Sequence, residues 1–230
     1  SVPLGSVVEG EVVDVEAVAS SVRDLMRQTG VRNGTEVAIG VSNQKVVVRL
    51  IDLPYMEQSE LQGAIQYQAQ DYIPIPVEEA ILDFQIIGDY MTSSDEHMME
   101  VLLVAAQRDM IDQMVAAVGR AGLRLREIDV TPFAIVRGIL GVADSVLAED
   151  DEATAIIHLA GGITNIVVVE KGIPRFTRVS AIAANDLTQA VATALNVTLP
   201  QAEELKQQVG LPSPDDTGEA VFAGSVDPDL

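Results

Sequence analysis

Apolar and polar positions along the 230-residue chain recur with two periods, near 2 and near 3.6, and the switches between them mark out strands and helices. Val7 to Val13 reads as a short strand. Asp14 is placed to cap a helix from Val15 to about Thr29, where Val15, Val18, Val22, Leu25 and Met26 share a face and Gly30 ends it. Glu36–Val41 is an apolar run that reaches a polar turn at Ser42-Asn43-Gln44. In the strand Lys45–Leu53, Val46, Val48 and Leu50 alternate with Lys45, Val47, Arg49 and Ile51, so one face is buried and the other partly so.

A helix follows from Ser59 to about Tyr72, with Leu61, Ile65, Gln68 or Ala69 and Tyr72 on one face and Ser59…Gln62 resembling a capping box. Ile73-Pro-Ile-Pro76 forces an extended exit, because each proline disfavours α geometry in the residue before it. Ala80–Gly88 and Met98–Ala106 are strands joined by the polar loop Asp89–His97. Arg108–Ala121 is a helix with Met110, Ile111, Met114, Val115 and Val118 inward, and Leu123–Val130 is a strand. The string β-α-β-β-α-β is the split ferredoxin-like unit. It predicts a compact insert between Lys45 and Val130 with both helices on one sheet face, and a core of Val48, Leu50, Ile65, Leu82, Phe84, Leu102, Val104, Met114, Val118 and Leu125.

Ala155–Glu170 holds two apolar, β-branched runs separated by small residues around Gly161-Gly162. It reads as a hairpin in a buried sheet, followed by a third strand from Pro174 to Ser180 and a helix opening near Asn185. Two glycines let the chain turn with positive φ and leave bare N–H groups open to phosphate oxygens. The same residues also read as an ordinary Gly-Gly hairpin turn.

Composition removes several functions. No cysteine excludes disulfides, thiolate catalysis and Cys-ligated zinc, and two histidines, His97 and His158, argue against a His-rich metal site. Fourteen basic and thirty-five acidic side chains give a charge of −21, which repels nucleic acid and anionic lipid and suits either solubility or a basic partner. Aromatics at 3% do not supply a stacking platform. No apolar run is long enough for direct membrane insertion. Gly-x-Ser-x-Gly, Walker A and HExxH motifs are all missing, and the paired carboxylates Glu78-Glu79 and Asp215-Asp216 are sequence neighbours that face opposite ways on a strand. The expectation is a chain with no catalytic residues and no metal ligands.

Gln66-Tyr-Gln-Ala-Gln-Asp-Tyr-Ile-Pro-Ile-Pro-Val-Glu-Glu-Ala-Ile-Leu-Asp-Phe84, with Ile87-Gly88 after it, resembles the signature of the PilM family, actin-like assembly proteins of type IV pilus machines. Glu127-Ile-Asp-Val-Thr-Pro-Phe133 is similar to that family's return from an inserted subdomain to the first lobe. The similarity runs from Gly10 to Gly210. It implies an α/β, two-lobe fold of the actin-like (ASKHA, ribonuclease H-like) class, related to FtsA, with the ferredoxin-like unit as insert. The corresponding division is 1–44 first lobe, 45–130 insert, 131–146 return to the first lobe, 147–153 acidic connector, 154–212 second lobe and 213–230 acidic tail. The first phosphate loop and the adenine motif are expected outside this stretch.

The resemblance also assigns residues. Gly161, Gly162, Thr164 and Asn165 match the family's second phosphate loop, Asn185 opens the helix after it, and Glu203 and Lys206 match a ribose- and adenine-side pair. His158 stands where the family has a magnesium-holding Asp, Ala160 replaces a Gly, and Ala183-Ala184 replace Gly-Gly. A hard cation selects oxygen, so ATP with Mg is implied only in weakened or lost form, and hydrolysis is not expected. Glu203 and Lys206 also read as a solvated helix face, His158 as an ordinary strand histidine, and Glu149–Glu152 as a solvated loop.

For partners, the resemblance implies the N-terminal cytoplasmic tail of a PilN-like inner-membrane protein, held between first lobe and insert, with Tyr55, Met56, Tyr72 and Ile75 as candidate pockets. It further implies contact with pilus motor ATPases, a homo-oligomer, and a cytoplasmic scaffold that touches the membrane only through its partner. The competing reading is an ASKHA-type kinase or ATPase of a small molecule, which needs the magnesium aspartate that His158 replaces.

Overall fold

The computed structural model describes residues 2–3, 5–140 and 153–210. The acidic connector, apart from Ala153, and the acidic tail therefore lie outside the described residues. In chain order the elements are β1 (Val7–Val8), β2 (Glu11–Val12), α1 (Val15–Thr29), β3 (Glu36–Val41), β4 (Val46–Pro54), α2 (Gln58–Ala69), β5 (Ala80–Met91), β6 (His97–Gln107), α3 (Arg108–Ala121), β7 (Arg124–Val130), α4 (Thr131–Leu140), β8 (Thr154–Leu159), β9 (Thr164–Glu170), β10 (Ile173–Ser180), α5 (Ala184–Leu195) and α6 (Leu199–Val209). A 3₁₀ turn, Val77–Glu79, precedes β5.

The run expected as one strand, Val7–Val13, is instead the tight hairpin β1–β2. Glu9 and Gly10 turn it at φ 48° and 83°. A Cβ on Gly10 would lie 2.2 Å from the Ser42 carbonyl oxygen, so only glycine fits this approach. α1 starts and stops where the sequence says: Asp14 accepts the Ala17 N–H at 2.9 Å and Gly30 takes the left-handed cap. Its packing is narrower than the apolar spacing implied, since Ala19 and Met26 are buried against the lobe while Leu25 is exposed.

The insert departs from the six-element unit in one respect. β4, β6 and β5 form a three-stranded antiparallel sheet in that order, whereas β7 pairs in parallel with β3. α3 packs against α1 and shares the small core of Val41, Ala106, Met110 and Ile111. The insert is thus β4-α2-β5-β6, and α3 and β7 belong to the first lobe. Sequence order alone could not reveal this, because the apolar β3 is a parallel partner that lies outside the window.

α2 covers one face of the insert sheet. Val47, Ile51, Leu53, Met99, Val101, Leu103 and Ala105 bury against Leu61, Ile65 and Ala69, with Leu82, Phe84 and Ile86 at the edge. The helix begins at Gln58, one residue before the expected start, and Glu60 accepts the Glu57 N–H at 3.1 Å in place of the Ser59…Gln62 pair. It ends at Ala69, before Tyr72. Cross-strand registers place Val48 opposite Val104 and Leu50 opposite Leu102 on the other face. The expected core therefore mixed two faces. Ile65 and Leu102 are buried, but Val48, Leu50, Leu82, Phe84 and Val104 are half-buried.

The second lobe is the antiparallel sheet β10-β9-β8, joined to the first by α4, whose Val136 buries with Ile156, Val167 and Val169. α5 and α6 pack on each other beside it.

Candidate functional site

Two places concentrate polar chemistry or open space. The first is the β8–β9 turn and the start of α5. Neither Gly161 nor Gly162 has positive φ, contrary to the sequence expectation; the turn closes through Ala160 N–H to the Ile163 carbonyl at 3.1 Å. The turn's own carbonyls hold α5: Ala184 N–H donates to Ala160 O at 3.0 Å, and Asn185 N–H to Gly161 O at 2.9 Å. Asp186 accepts the Ala183 N–H at 2.8 Å, which fixes the first helical turn. A Cβ on Gly161 would meet only the Asn185 amide, at 3.7 Å, and one on Gly162 would meet nothing. Gly161, Gly162 and Asn185 are therefore together at the start of α5, whose first N–H groups are already taken by the turn's carbonyls and by Asp186.

Thr164 and Asn165 are buried beneath that turn instead. Thr164 Oγ1 donates to the Ile182 carbonyl at 2.7 Å. Asn165 Oδ1 accepts from Ser42 Oγ at 2.5 Å, which joins second lobe to first, and Asn165 Nδ2 has no partner. His158 is exposed and sits across the ladder from Asn165.

Glu203 and Lys206 meet on α6, with Lys206 Nζ 2.6 Å from Glu203 Oε2. Thr188 on α5 completes the cluster: its hydroxyl donates to Glu203 at 2.6 Å and accepts from Lys206 at 2.8 Å, while Lys206 also reaches the Ala184 carbonyl at 3.4 Å. The Lys206 ammonium, with the Thr188 and Gln207 donors, lowers the Glu203 pKa from 4.5 to about 2. Thr188, one turn into α5, is not singled out by the sequence, because a hydroxyl inside a helix carries no signal of its own.

The second place is a cavity of about 360 Å³ between insert and first lobe. One wall is the face of the insert sheet turned away from α2, with Val46, Ile81, Asp83, Gln85, Leu102 and Val104; the other is Val41, Ile111, Ile128, Asp129, Phe133 and Arg137. Asp129 and Arg137 form an ion pair there. Tyr55, Met56, Tyr72 and Ile75 do not line this cavity. Met56 and Ile75 pack on the α2-side core, Tyr55 stacks on His97 with ring centroids 4.1 Å apart, and Tyr72 is exposed.

The family description "Type IV pilus assembly protein PilM" matches residues 1–222. The chain belongs to the PilM family. A PilM in a structure entitled "PilM-PilN type IV pilus biogenesis complex" superposes with a TM-score of 0.75 at 29% identity, covering 89% of this chain and 60% of that one. Among curated relatives, the cell division protein FtsA of Bacillus subtilis (strain 168) is 22% identical over 91% of this chain and 51% of its own length. FtsA of Neisseria meningitidis serogroup B is 25% identical over 91% of this chain and 54% of its own. The chain thus spans about half the length of these curated relatives. Its α/β architecture is the actin-like one of the PilM family.

Proposed function

We propose that this chain is a docking scaffold of a type IV pilus assembly machine, holding the cytoplasmic tail of a PilN-like inner-membrane protein in the cavity between insert and first lobe. The observation that carries the reading is the cavity itself: lined by apolar side chains from both sheets with a few polar groups among them, open at its rim, and placed at the seam of two units that a bound segment would clamp together. The similarity to a PilM found with PilN supports it. Among the described residues no helix is long and apolar enough to cross a membrane. A net charge of −21 suits a tail that precedes a transmembrane helix on the Lys- and Arg-rich side. Through this tail the scaffold links the membrane protein to the pilus motor ATPases.

The nucleotide site is degenerate in this reading. His158 offers nitrogen where magnesium selects oxygen, and among the described residues no group of three His, Asp or Glu could hold a metal. Magnesium does not fit these residues, and the scaffold hydrolyses nothing.

The docking test is surface plasmon resonance with a synthetic peptide spanning the tail of the PilN-like partner. Ile128→Arg puts a charge on a cavity wall at a position 39% exposed, where the fold tolerates it, and abolishes binding. Unchanged binding to that variant places the tail elsewhere.

A further inference from the structure

Where it borders the cavity, the lobe-facing side of the insert sheet is apolar apart from Asp83 and Gln85, and the two carboxylates farther along the same face, Asp52 and Glu100, are already bonded to Tyr90 and Arg175. Cross-strand registers align Val46, Ala106 and Ile81 in one row and Val48, Val104 and Asp83 in the next. Asp83 therefore stands in the cavity wall directly opposite a β-branched neighbour. Its Oδ1 accepts only the N–H of Phe84, at 2.9 Å, and no ion pair involves it among the described residues. The cavity's other carboxylate, Asp129, is already matched by Arg137. One negative charge is left for an occupant to match, and a carboxylate beside apolar walls gains most from a ligand that brings its own cation.

The backbone restricts the occupant's shape. Among the described residues β5 pairs only with β6, and β7 only with β3, so both are edge strands there, and both contribute to the cavity lining. Unspent N–H and C=O groups on strand edges are met by an extended main chain, not by a helix.

We propose that Asp83 is the specificity residue of this cavity, reading a Lys or Arg in an apolar tail that lies extended along the β5 edge. The proposal rests on the tail-docking reading above. It separates a basic tail from an equally apolar neutral one, a choice that the hydrophobic walls cannot make.

Fluorescence anisotropy on the full 230-residue chain tests it. The probes are the tail peptide of the PilN-like partner and the same peptide with its Lys and Arg changed to Gln. Asp83→Asn, which keeps shape and loses charge at an exposed position, should weaken the basic peptide about tenfold and leave the Gln peptide unchanged. Asp83→Lys should bind the basic peptide worse still, and a peptide with Glu in place of Lys better. Equal binding of the basic peptide to Asp83→Asn and wild type, with Ile128→Arg still blocking, overturns Asp83 as the reader and leaves the docking reading standing. Undiminished binding to Ile128→Arg overturns both, and a partner tail lacking Lys and Arg overturns the inference at once.

Discussion

Arg175 of β10 grips Glu100 of β6 with one guanidinium nitrogen 2.9 and 2.8 Å from the two carboxylate oxygens, and its Nε reaches Glu170 at 3.0 Å. Arg175 is the residue skipped in the β9–β10 register between Pro174 and Phe176, and such a bulge re-aims a side chain that would otherwise follow the pleat. The bulge turns a second-lobe arginine onto the insert sheet. Glu100 also shares a β6 face with Leu102, which lines both the cavity between insert and first lobe and a smaller one of about 160 Å³ beside Pro174–Thr177.

Removing this clasp should loosen the second lobe against the insert more than it unfolds either. Arg175→Ala leaves two carboxylates unpaired, but the side chains are about one-third exposed, so the expected cost is only about 1 kcal/mol. Thermal melts should show that small loss, shrinking further in added salt, while hydrogen exchange rises in β10 and in the β6 segment around Glu100. Exchange unchanged in both strands would mean the pair is decorative.

Leu102 and Leu103 are sequence neighbours with opposite duties. Leu103 is fully buried against α2, whereas Leu102 faces the cavity. Leu103→Ala should cost about 3 kcal/mol in denaturant unfolding, because it opens a void in a packed core. Leu102→Ala should cost less than that, because its side chain already borders open space, and should also weaken tail binding. Equal stability losses would contradict the face assignment.

That face assignment marks where the sequence stopped being legible. Local signals read well: Asp14 and Gly30 bracket α1, and α3 spans Arg108–Ala121 as its pattern says. In β4 nearly every residue from Val46 to Ile51 is apolar, so a period of two cannot choose a face, and Arg49 pointed to the wrong one. Register with β6, a long-range fact, makes the choice. The same limit hid β7's pairing with β3 and the cavity, whose walls come from segments near 46, 83, 104 and 130. At the second-lobe site, the Glu203–Lys206 pair was visible at helical spacing, but Thr188 and the Ser42–Asn165 bond depend on folding.

Thr164 spends its hydroxyl proton on the Ile182 carbonyl, and the Ala184 and Asn185 N–H groups are taken by the turn's own carbonyls, so the turn at Gly161-Gly162 has fewer donors for phosphate than its sequence promises. Calorimetry with ATP and magnesium should therefore show no binding at micromolar concentrations by the 230-residue chain. His158→Asp with Ala160→Gly supplies an oxygen ligand and removes a methyl, yet should not restore binding alone, because the Thr164 hydroxyl stays committed to the Ile182 carbonyl and the first N–H groups of α5 to the turn. Micromolar affinity in the unaltered chain would show that these internal bonds yield to the ligand.

Glu203 gives a pH signature that separates the occupied cluster from an open one. Its pKa is lowered to about 2 in the folded chain, first by the Lys206 hydrogen bond and then by that of Thr188, against an ordinary 4.5 when unfolded. A depressed folded pKa means that the unfolded chain binds the proton more readily. The stabilisation is complete above about pH 4.5 and drains away as the pH falls toward 2. Glu203→Gln keeps shape and removes the titration, so its melting temperature should fall less steeply than wild type across that window. The Lys206→Met variant should behave alike, since without the ammonium the carboxyl returns toward its ordinary range. If wild type and Glu203→Gln lose stability in parallel between pH 4.5 and 2, then Lys206 does not hold the carboxylate in solution and is available to a ligand.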